Sequence, residues 1–267
     1  MAAANVVQIS DPHIGARWAR ADPLDTLGGV IEAIGDLPFA VDGVIVTGDL
    51  AANGTDEQYG ALVEALGSLE APWAALPGNH DDRAAFRRHI DVGEGGAADG
   101  PTSHLCQFGE LRVVMLDTIV PGSDGGELDG GRLEWLAEQL DADSGDAPPT
   151  LIAMHHPPFP CGVPVMDEIR LADGAARGLA ELIGSHPEIV GLTCGHNHRV
   201  IAASFAGRPA LVAPSTYCQF PLVLDDREIA PVPDPVGFAV HTLLPALDGD
   251  PVRRLVCHVQ TLALTAA

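Results

Sequence analysis

Seven side chains able to hold a cation occur in five short segments of this chain: Asp11 and His13 in Asp11-Pro12-His13, Asp49 after Gly48, Asn79 in Gly78-Asn79-His80, His155 in His155-His156, and His196 and His198 in Gly195-His196-Asn197-His198. Carboxylate, carboxamide and imidazole donors converging from several loops suit a two-cation hydrolytic site, in which one carboxylate bridges metals about 3.5–4 Å apart. Nitrogen and oxygen donors without sulfur fit Mn, Fe, Zn or Co. Each piece also has an ordinary reading. Gly-Asp after a strand is a turn, Asn79 is a turn residue tolerant of left-handed backbone, and Asp-x-His is a solvated loop. His155-His156 is a satisfied pair, with His156 the partner of a ligand rather than a ligand itself. What argues against these readings is their joint occurrence in one order.

The elements that must position these residues are short apolar runs, partly β-branched: 5–9, 41–46, 73–76, 151–154 and 188–193 read as buried strands. Each polar segment begins within a few residues of the end of its run, and open α/β sheets bind ligands beyond the carboxyl ends of their strands. Gly48, Gly78 and Gly195 each precede a candidate ligand, where a tight turn or close backbone approach favours a residue without Cβ. Asp11 and His13, like His196 and His198, are two apart. In extended chain that spacing points both side chains to one side.

The order Asp-x-His, Gly-Asp, Gly-Asn-His-Asp, His-His-Pro-Pro, Gly-His-x-His resembles the calcineurin-like metallophosphoesterase superfamily from about Val6 to at least Gln219. Within it, the chain is most similar to bacterial class III cyclic-nucleotide phosphodiesterases and their glycerophosphodiester-cleaving relatives. That likeness is carried by Gly78-Asn-His-Asp-Asp-Arg83, Met115-Leu-Asp-Thr118, His155-His-Pro-Pro-Phe159, and Pro214-Ser-Thr216 with Gln219. The resemblance implies that Asp11, His13 and His198 hold a first metal, Asn79, His155 and His196 a second, and that Asp49 bridges them. It places His80 at the phosphate as the catalytic side chain. Purple acid phosphatases carry a tyrosine ligand three residues after the bridging aspartate; Ala52 stands here, which argues against a charge-transfer Fe(III) centre.

A formal count gives two divalent cations four positive charges, from which Asp11, Asp49 and a bridging hydroxide remove three, so the centre matches a phosphodiester monoanion. The expected reaction is in-line attack of that hydroxide on phosphorus, with His80 steadying developing charge or protonating the leaving alkoxide. Three functional classes follow. A phosphodiesterase for small diesters leads, with 3′,5′-cyclic AMP or related cyclic nucleotides, or a glycerophosphodiester, as substrate. A broad phosphomonoesterase or nucleotide hydrolase comes next, and a noncatalytic scaffold last, because the ligand set is complete.

The net charge is −23, with 37 acidic residues against 14 basic ones, all arginine. Such a field repels nucleic acid polymers and anionic membrane surfaces. No run of 18 or more apolar residues occurs and the N-terminus has no basic and apolar leader, so a cytoplasmic location is expected. Five cysteines, an odd number without Cys-x-x-Cys, fit reduced thiols, and Cys194 reads as a small buried strand residue. Arg17 and Arg20, just beyond Asp-x-His, either reach substrate phosphate or base or remain solvated. His89, His104, His186, His241 and His258 read as histidines without ligand duty. No aromatic cage for adenine is evident.

Helical patterns over 23–36, 56–69, 131–141 and 171–185, and one starting near Asp82, alternate with the strands; runs at 200–205, 210–213, 238–244 and 253–260 suggest more strands. Asp81 and Asp82 would cap the helix near Asp82. Residues 1–267 are expected to form one α/β domain, which the resemblance makes a four-layer α/β/β/α sandwich of two packed mixed sheets flanked by helices. Gly-rich surface loops are expected at 93–100, 121–131 and 144–149. Recognition is expected in 157–167 and 215–235, and the second is equally a contact segment for a homodimer or higher homo-oligomer.

Overall fold

The apolar runs pair into two sheets. A computed structural model describes residues 4–92, 100–142, 147–246 and 253–262. Its elements in order are β1 (Ala4–Ile9), α1 (Pro23–Gly35), β2 (Gly43–Thr47), α2 (Asp56–Leu66), β3 (Trp73–Leu76), α3 (Arg83–His89), β4 (His104–Phe108), β5 (Leu111–Leu116), α4 (Gly130–Asp141), β6 (Thr150–Met154), α5 (Pro164–Glu168), α6 (Asp173–Ser185), β7 (Ile189–Cys194), β8 (Ile201–Phe205), β9 (Arg208–Val212), β10 (Val236–Leu244) and β11 (Arg254–Leu262). One sheet runs β11-β10-β1-β2-β3 and the other β4-β5-β6-β7-β9-β8. Both are mixed: β1, β2 and β3 are parallel with β10 antiparallel to β1, and β5, β6, β7 and β9 are parallel with antiparallel strands at the two ends.

The period of two in the strands sorts side chains into layers. Val7, Ile9, Val44 and Val46 face outward onto Leu27, Val30, Ile31 and Ile34 of α1 and Leu62 and Leu66 of α2. Their neighbours Val6 and Ile45 face inward, against Leu111, Val113, Met115 and Leu151 of the second sheet. The outer face of that sheet meets Leu136 and Leu140 of α4 and Leu179 and Ile183 of α6. This is the four-layer sandwich. Helix starts follow local chemistry: Asp22 accepts from Leu24 N (2.9 Å) with Pro23 in the first turn, and Thr55 and Gln58 form a capping box on α2.

The expected strands and helices match the observed ones closely, but two strands between Leu76 and Leu151 are absent from the sequence reading. β4 and β5 form a hairpin joined by Gly109-Glu110, with Gly109 at φ 55° and Phe108 paired to Leu111. β5 is buried along its whole length, so it shows no alternation, and Arg112 interrupts its apolar run. Helix α5 occupies the end of the 157–167 segment and runs one residue past it. Most of the loops expected at 93–100 and 144–149 lie outside the described residues. The 121–131 loop is a surface loop only in part, since Gly126 and Leu128 are buried.

Beneath the strand ends, polar side chains interrupt the inner core. Gln8 Nε2 donates to Thr47 Oγ1 (2.8 Å) and Cys194 O (2.9 Å), and its Oε1 accepts from Thr193 Oγ1 and from His241 Nε2 (2.9 Å). Every member is buried. Burial pushes the His241 imidazole down to about 4 from 6.5. Because the folded value lies below the unfolded one, the neutral ring contributes stability that is full above pH 6.5 and is lost as pH falls toward 4. At about 1.4 kcal/mol per pH unit this is about 3 kcal/mol. Urea unfolding of the chelated protein at pH 7 and pH 4 should show wild type losing about 3 kcal/mol more than His241→Gln, which keeps a donor toward Gln8; equal losses would contradict the assignment.

Candidate metal centre

The loops that follow β1, β2, β3, β6 and β7 meet at one end of the sandwich. Their backbone is not extended, as the spacing of two suggests. Among the described residues six non-glycine positions have left-handed φ, and five are Asp11 (51°), His13 (45°), Asp49 (51°), His196 (74°) and His198 (47°). Each such residue costs of order 1 kcal/mol and persists only where its surroundings hold it. Here Asp11 N donates to Gly48 O (3.1 Å), His13 N to Asp49 O (2.9 Å) and Gly195 N to His155 O (3.1 Å), which lock the loops to one another. The preceding glycines leave room for the donors: a Cβ on Gly48 would lie 2.3 Å from His155 Nδ1, one on Gly78 2.3 Å from Asp49 Oδ1, and one on Gly195 2.2 Å from Ser10 Oγ.

All seven candidate ligands come together. Donor atoms of Asp11, His13, Asp49 and His198 lie within 4.8 Å of one another, as do those of His155, His156 and His196. In the first group His13 Nε2 stands 2.9 Å from His198 Nε2, and His198 Nε2 stands 3.6 Å from Asp11 Oδ1. In the second, His155 Nε2 is 3.1 Å from Asn79 Oδ1, and His196 Nδ1 is 3.1 Å from the same oxygen and 3.2 Å from His155 Nε2. Asp49 lies between the groups, with Oδ2 3.4 Å from His13 Nε2 and Oδ1 3.4 Å from His155 Nε2.

Backbone carbonyls select the tautomers. A carbonyl only accepts, so His155 Nδ1–H donates to Thr47 O (2.8 Å) and His198 Nδ1–H to Cys218 O (3.0 Å), turning each Nε2 lone pair into the site. Burial holds His13, His196 and His198 below the usual imidazole range. At His155 burial acts in the same direction, but the Asp49 carboxylate outweighs it and lifts the ring to about 9. Reciprocally, burial opposes ionisation of Asp49, yet His155 and His13 hold it well below the carboxylate range. Asp11 is raised by burial, against the opposing effect of His198.

His156 falls among the close donors but has no free nitrogen. Its Nδ1 accepts from Thr118 Oγ1 (2.7 Å) and its Nε2–H donates to Asp124 O (3.1 Å). Burial pushes it down to about 3, so it stays neutral. Gly126 sits against this ring, where a Cβ would approach Cγ to 2.5 Å. The 121–131 loop thus encloses a neutral ring that packs against His155 and His196, with centroids 4.9 and 4.7 Å away, and whose hydrogen bonds go to Thr118 and Asp124.

Several supporting residues escaped the sequence reading. Asp82 caps α3 by accepting from Ala85 N (2.8 Å), but Asp81 does not share the task. Its buried carboxylate accepts from Leu50 N (3.0 Å), Ala51 N (3.1 Å), Gly78 N (2.8 Å) and Tyr59 Oη (2.7 Å), bracing the loops that carry Asp49 and Asn79. Arg83 forms two bonds with Asp117, Nε to Oδ2 (2.8 Å) and Nη2 to Oδ1 (3.0 Å), joining the end of one sheet to the other. The likeness noted at Gly78–Arg83 and at Met115–Thr118 is therefore one spatial unit. Its sequence signal was the pairing of Arg83 with Asp117, which no local rule connects.

His80 is exposed at the rim; its N–H donates to Asp49 Oδ1 (3.0 Å) and its Nδ1 lies 3.3 Å from Ala52 O. Trp18 stands against His13 with ring centroids 4.8 Å apart. The other histidines are elsewhere: His89 pairs with Asp56, His104 with Thr102 O and His186 with Asp141. All five cysteines are unpaired, and Cys194 is buried in the outer core. Among the described residues no helix is long and apolar enough to cross a membrane.

A dimetal phosphatase from Danio rerio superposes with a TM-score of 0.74 at 15% identity, covering 99% of this chain and 100% of that one, which shows the fold. A probable glycerophosphodiester phosphodiesterase from Arcobacter nitrofigilis is 34% identical over 199 residues, 73% of this chain and 72% of that protein. A cAMP/cGMP dual specificity phosphodiesterase from Mycobacterium tuberculosis is 34% identical over 219 residues, 79% of this chain and 67% of that protein. The model of the calcineurin-like phosphoesterases matches residues 4–200, a span that contains every one of the seven donors. The chain belongs to that family.

Proposed function

We propose that this enzyme hydrolyses small phosphodiesters, 3′,5′-cyclic nucleotides foremost, at two divalent cations. Asp11, His13 and His198 hold the first, Asn79, His155 and His196 the second, and Asp49 joins them. The observation that carries this reading is Asp49: its two oxygens face two separate sets of lone pairs, an arrangement that a hydrogen-bonded histidine cluster does not require. Nitrogen and oxygen donors fit Mn, Fe, Zn or Co. His155 would have to give up the proton that Asp49 holds there before its Nε2 could serve as a ligand. Bound at the centre, the pair supplies Lewis-acid polarisation of the phosphoryl group and activates water at neutral pH.

The chain's own residues then orient and protonate. Asp49 receives the His80 amide, so the loop that presents His80 is registered to the bridging carboxylate. A ring protonated at both nitrogens donates Nδ1–H to Ala52 O and holds an Nε2–H that passes to the leaving oxygen, which returns His80 to the neutral imidazole. His80→Ala is expected to lower kcat about 10²-fold on an alkyl diester, with a much smaller effect on bis(p-nitrophenyl) phosphate, whose leaving group needs no proton. Full rate on the alkyl diester would remove His80 from catalysis.

The diester class is supported by the activities named for the relatives. The deciding experiment compares 3′,5′-cyclic AMP, a glycerophosphodiester, bis(p-nitrophenyl) phosphate and mono-(p-nitrophenyl) phosphate, using chelated protein reloaded with Mn(II). Cyclic AMP and the bis-ester should be turned over well ahead of the monoester. A preference for the monoester would replace this reading with a phosphomonoesterase.

A further inference from the structure

A groove of about 610 Å³ opens beside the metal centre, lined by Trp18, Arg20, Tyr217, Pro231 and Pro233 among others. Trp18 forms the boundary between the two: its ring lies 4.8 Å from that of His13 and 5.6 Å from that of His80, and 5.8 Å from that of Tyr217 on the groove side. It is 42% exposed, a large aromatic surface left open where most tryptophans are covered. It is also held in place. Ala19 N donates to Tyr217 Oη (2.9 Å), which ties the Trp18 loop to the 215–235 segment. Across the groove, Val232 N donates to Gln219 O (2.9 Å) and fixes the two prolines opposite.

We infer that this groove takes the nucleobase of a nucleotide whose phosphate sits at the metal centre, with the base stacked on Trp18 and its polar edge toward Arg20. The inference rests on the phosphodiesterase reading and names a substrate class for it. A rigid aromatic face suits any base, because every base has a π-face. Arg20 is exposed, with no partner among the described residues, and adds a cation where the chain as a whole is strongly acidic. Contact of Trp18 with His13 means that the occupant is tethered to phosphate through a short link such as a ribose. A lipid tail would find Arg20 unhelpful, and glycerol would leave the indole uncovered. The 215–235 segment, weighed above as recognition element or dimer contact, is thereby assigned to recognition.

The test uses full-length Mn(II)-loaded protein and two nonhydrolysed ligands, 5′-AMP and ribose 5-phosphate, titrated calorimetrically. Wild type should bind 5′-AMP about 10-fold tighter than ribose 5-phosphate. Trp18→Phe should keep most of that preference and Trp18→Ala should lose it, with ribose 5-phosphate affinity unchanged. If Trp18→Ala loses both ligands, Trp18→Leu keeps bulk against His13 without an aromatic face and should show the same lost preference. Equal affinities in wild type, or a preference that survives both aliphatic variants, would overturn the inference. Hydrolysis of bis(p-nitrophenyl) phosphate by the same preparation separates the two claims. Turnover without base preference keeps the diesterase and discards the groove, and base preference without turnover does the reverse.

Discussion

Asp49→Ala is expected to lower kcat/KM for bis(p-nitrophenyl) phosphate by about 10³-fold or more, equivalent to about 4 kcal/mol of transition-state stabilisation. The magnitude follows from position. Asp49 is the only candidate ligand whose oxygens approach donors of both groups, so its loss takes a ligand from each cation at once. It also releases the His80 amide and leaves His155 without the anion that raises it to about 9. Metal analysis after dialysis should find both sites depleted. Asn79→Ala, by contrast, should empty the second site first, since Asn79 Oδ1 approaches only His155 and His196. An Asp49→Ala protein that retained two equivalents of metal and a tenth of the activity would rule out the bridge.

Asp81→Asn should be the most damaging change outside the donors themselves, costing about 3–5 kcal/mol in urea unfolding. The carboxylate accepts four bonds and donates none, and an amide supplies one acceptor oxygen in place of two while aiming N–H groups at N–H groups. Burial, with the charge of Asp49 nearby, raises Asp81 to about 6, and the amides of Gly78 and Leu50 with the Tyr59 hydroxyl act the other way. Tyr59→Phe, which removes one of the four donors, should cost about 2 kcal/mol. Metal affinity should fall in parallel in Asp81→Asn, because the loops of Asp49 and Asn79 share this brace. A variant as stable as wild type, with full affinity, would assign Asp81 no positioning role.

The convergence of the seven candidate ligands is legible because their types are restrictive and their segments follow apolar runs. Their backbone is not: alternation is the local rule for residues two apart, and the left-handed turns at Asp11, His13, His196 and His198 are imposed by hydrogen bonds from other loops. Asp81 reads as a second helix cap because it precedes Asp82; only the approach of the loop after β2 and of α2 gives its carboxylate three of its four donors, Gly78 N being local. Arg83 and Asp117 carried no visible relation for the same reason. The aromatic wall has no local signature, because Trp18 and Tyr217 meet only when the segment after β9 folds back over the first loop. β5 was hidden by complete burial, which erases the alternation that reveals half-buried strands.

All seven donors precede Arg199, whereas Tyr217, Pro231 and Pro233 belong to a later stretch that touches the centre at few points. Ser215 Oγ donates to Asp11 O (2.9 Å), Cys218 O orients His198, and Phe220 stacks on the His198 ring at 4.6 Å. Beyond Phe220 the segment is exposed for most of its length. The groove proposed for the base is thus built from two parts of the polypeptide, Trp18 and Arg20 in the loop that carries His13, and a later stretch that supplies no candidate ligand. Residues 221–235 can change in length or composition while the anchors at 215, 218 and 220 keep Asp11 and His198 registered, so one wall of the groove can be reshaped without the centre being rebuilt.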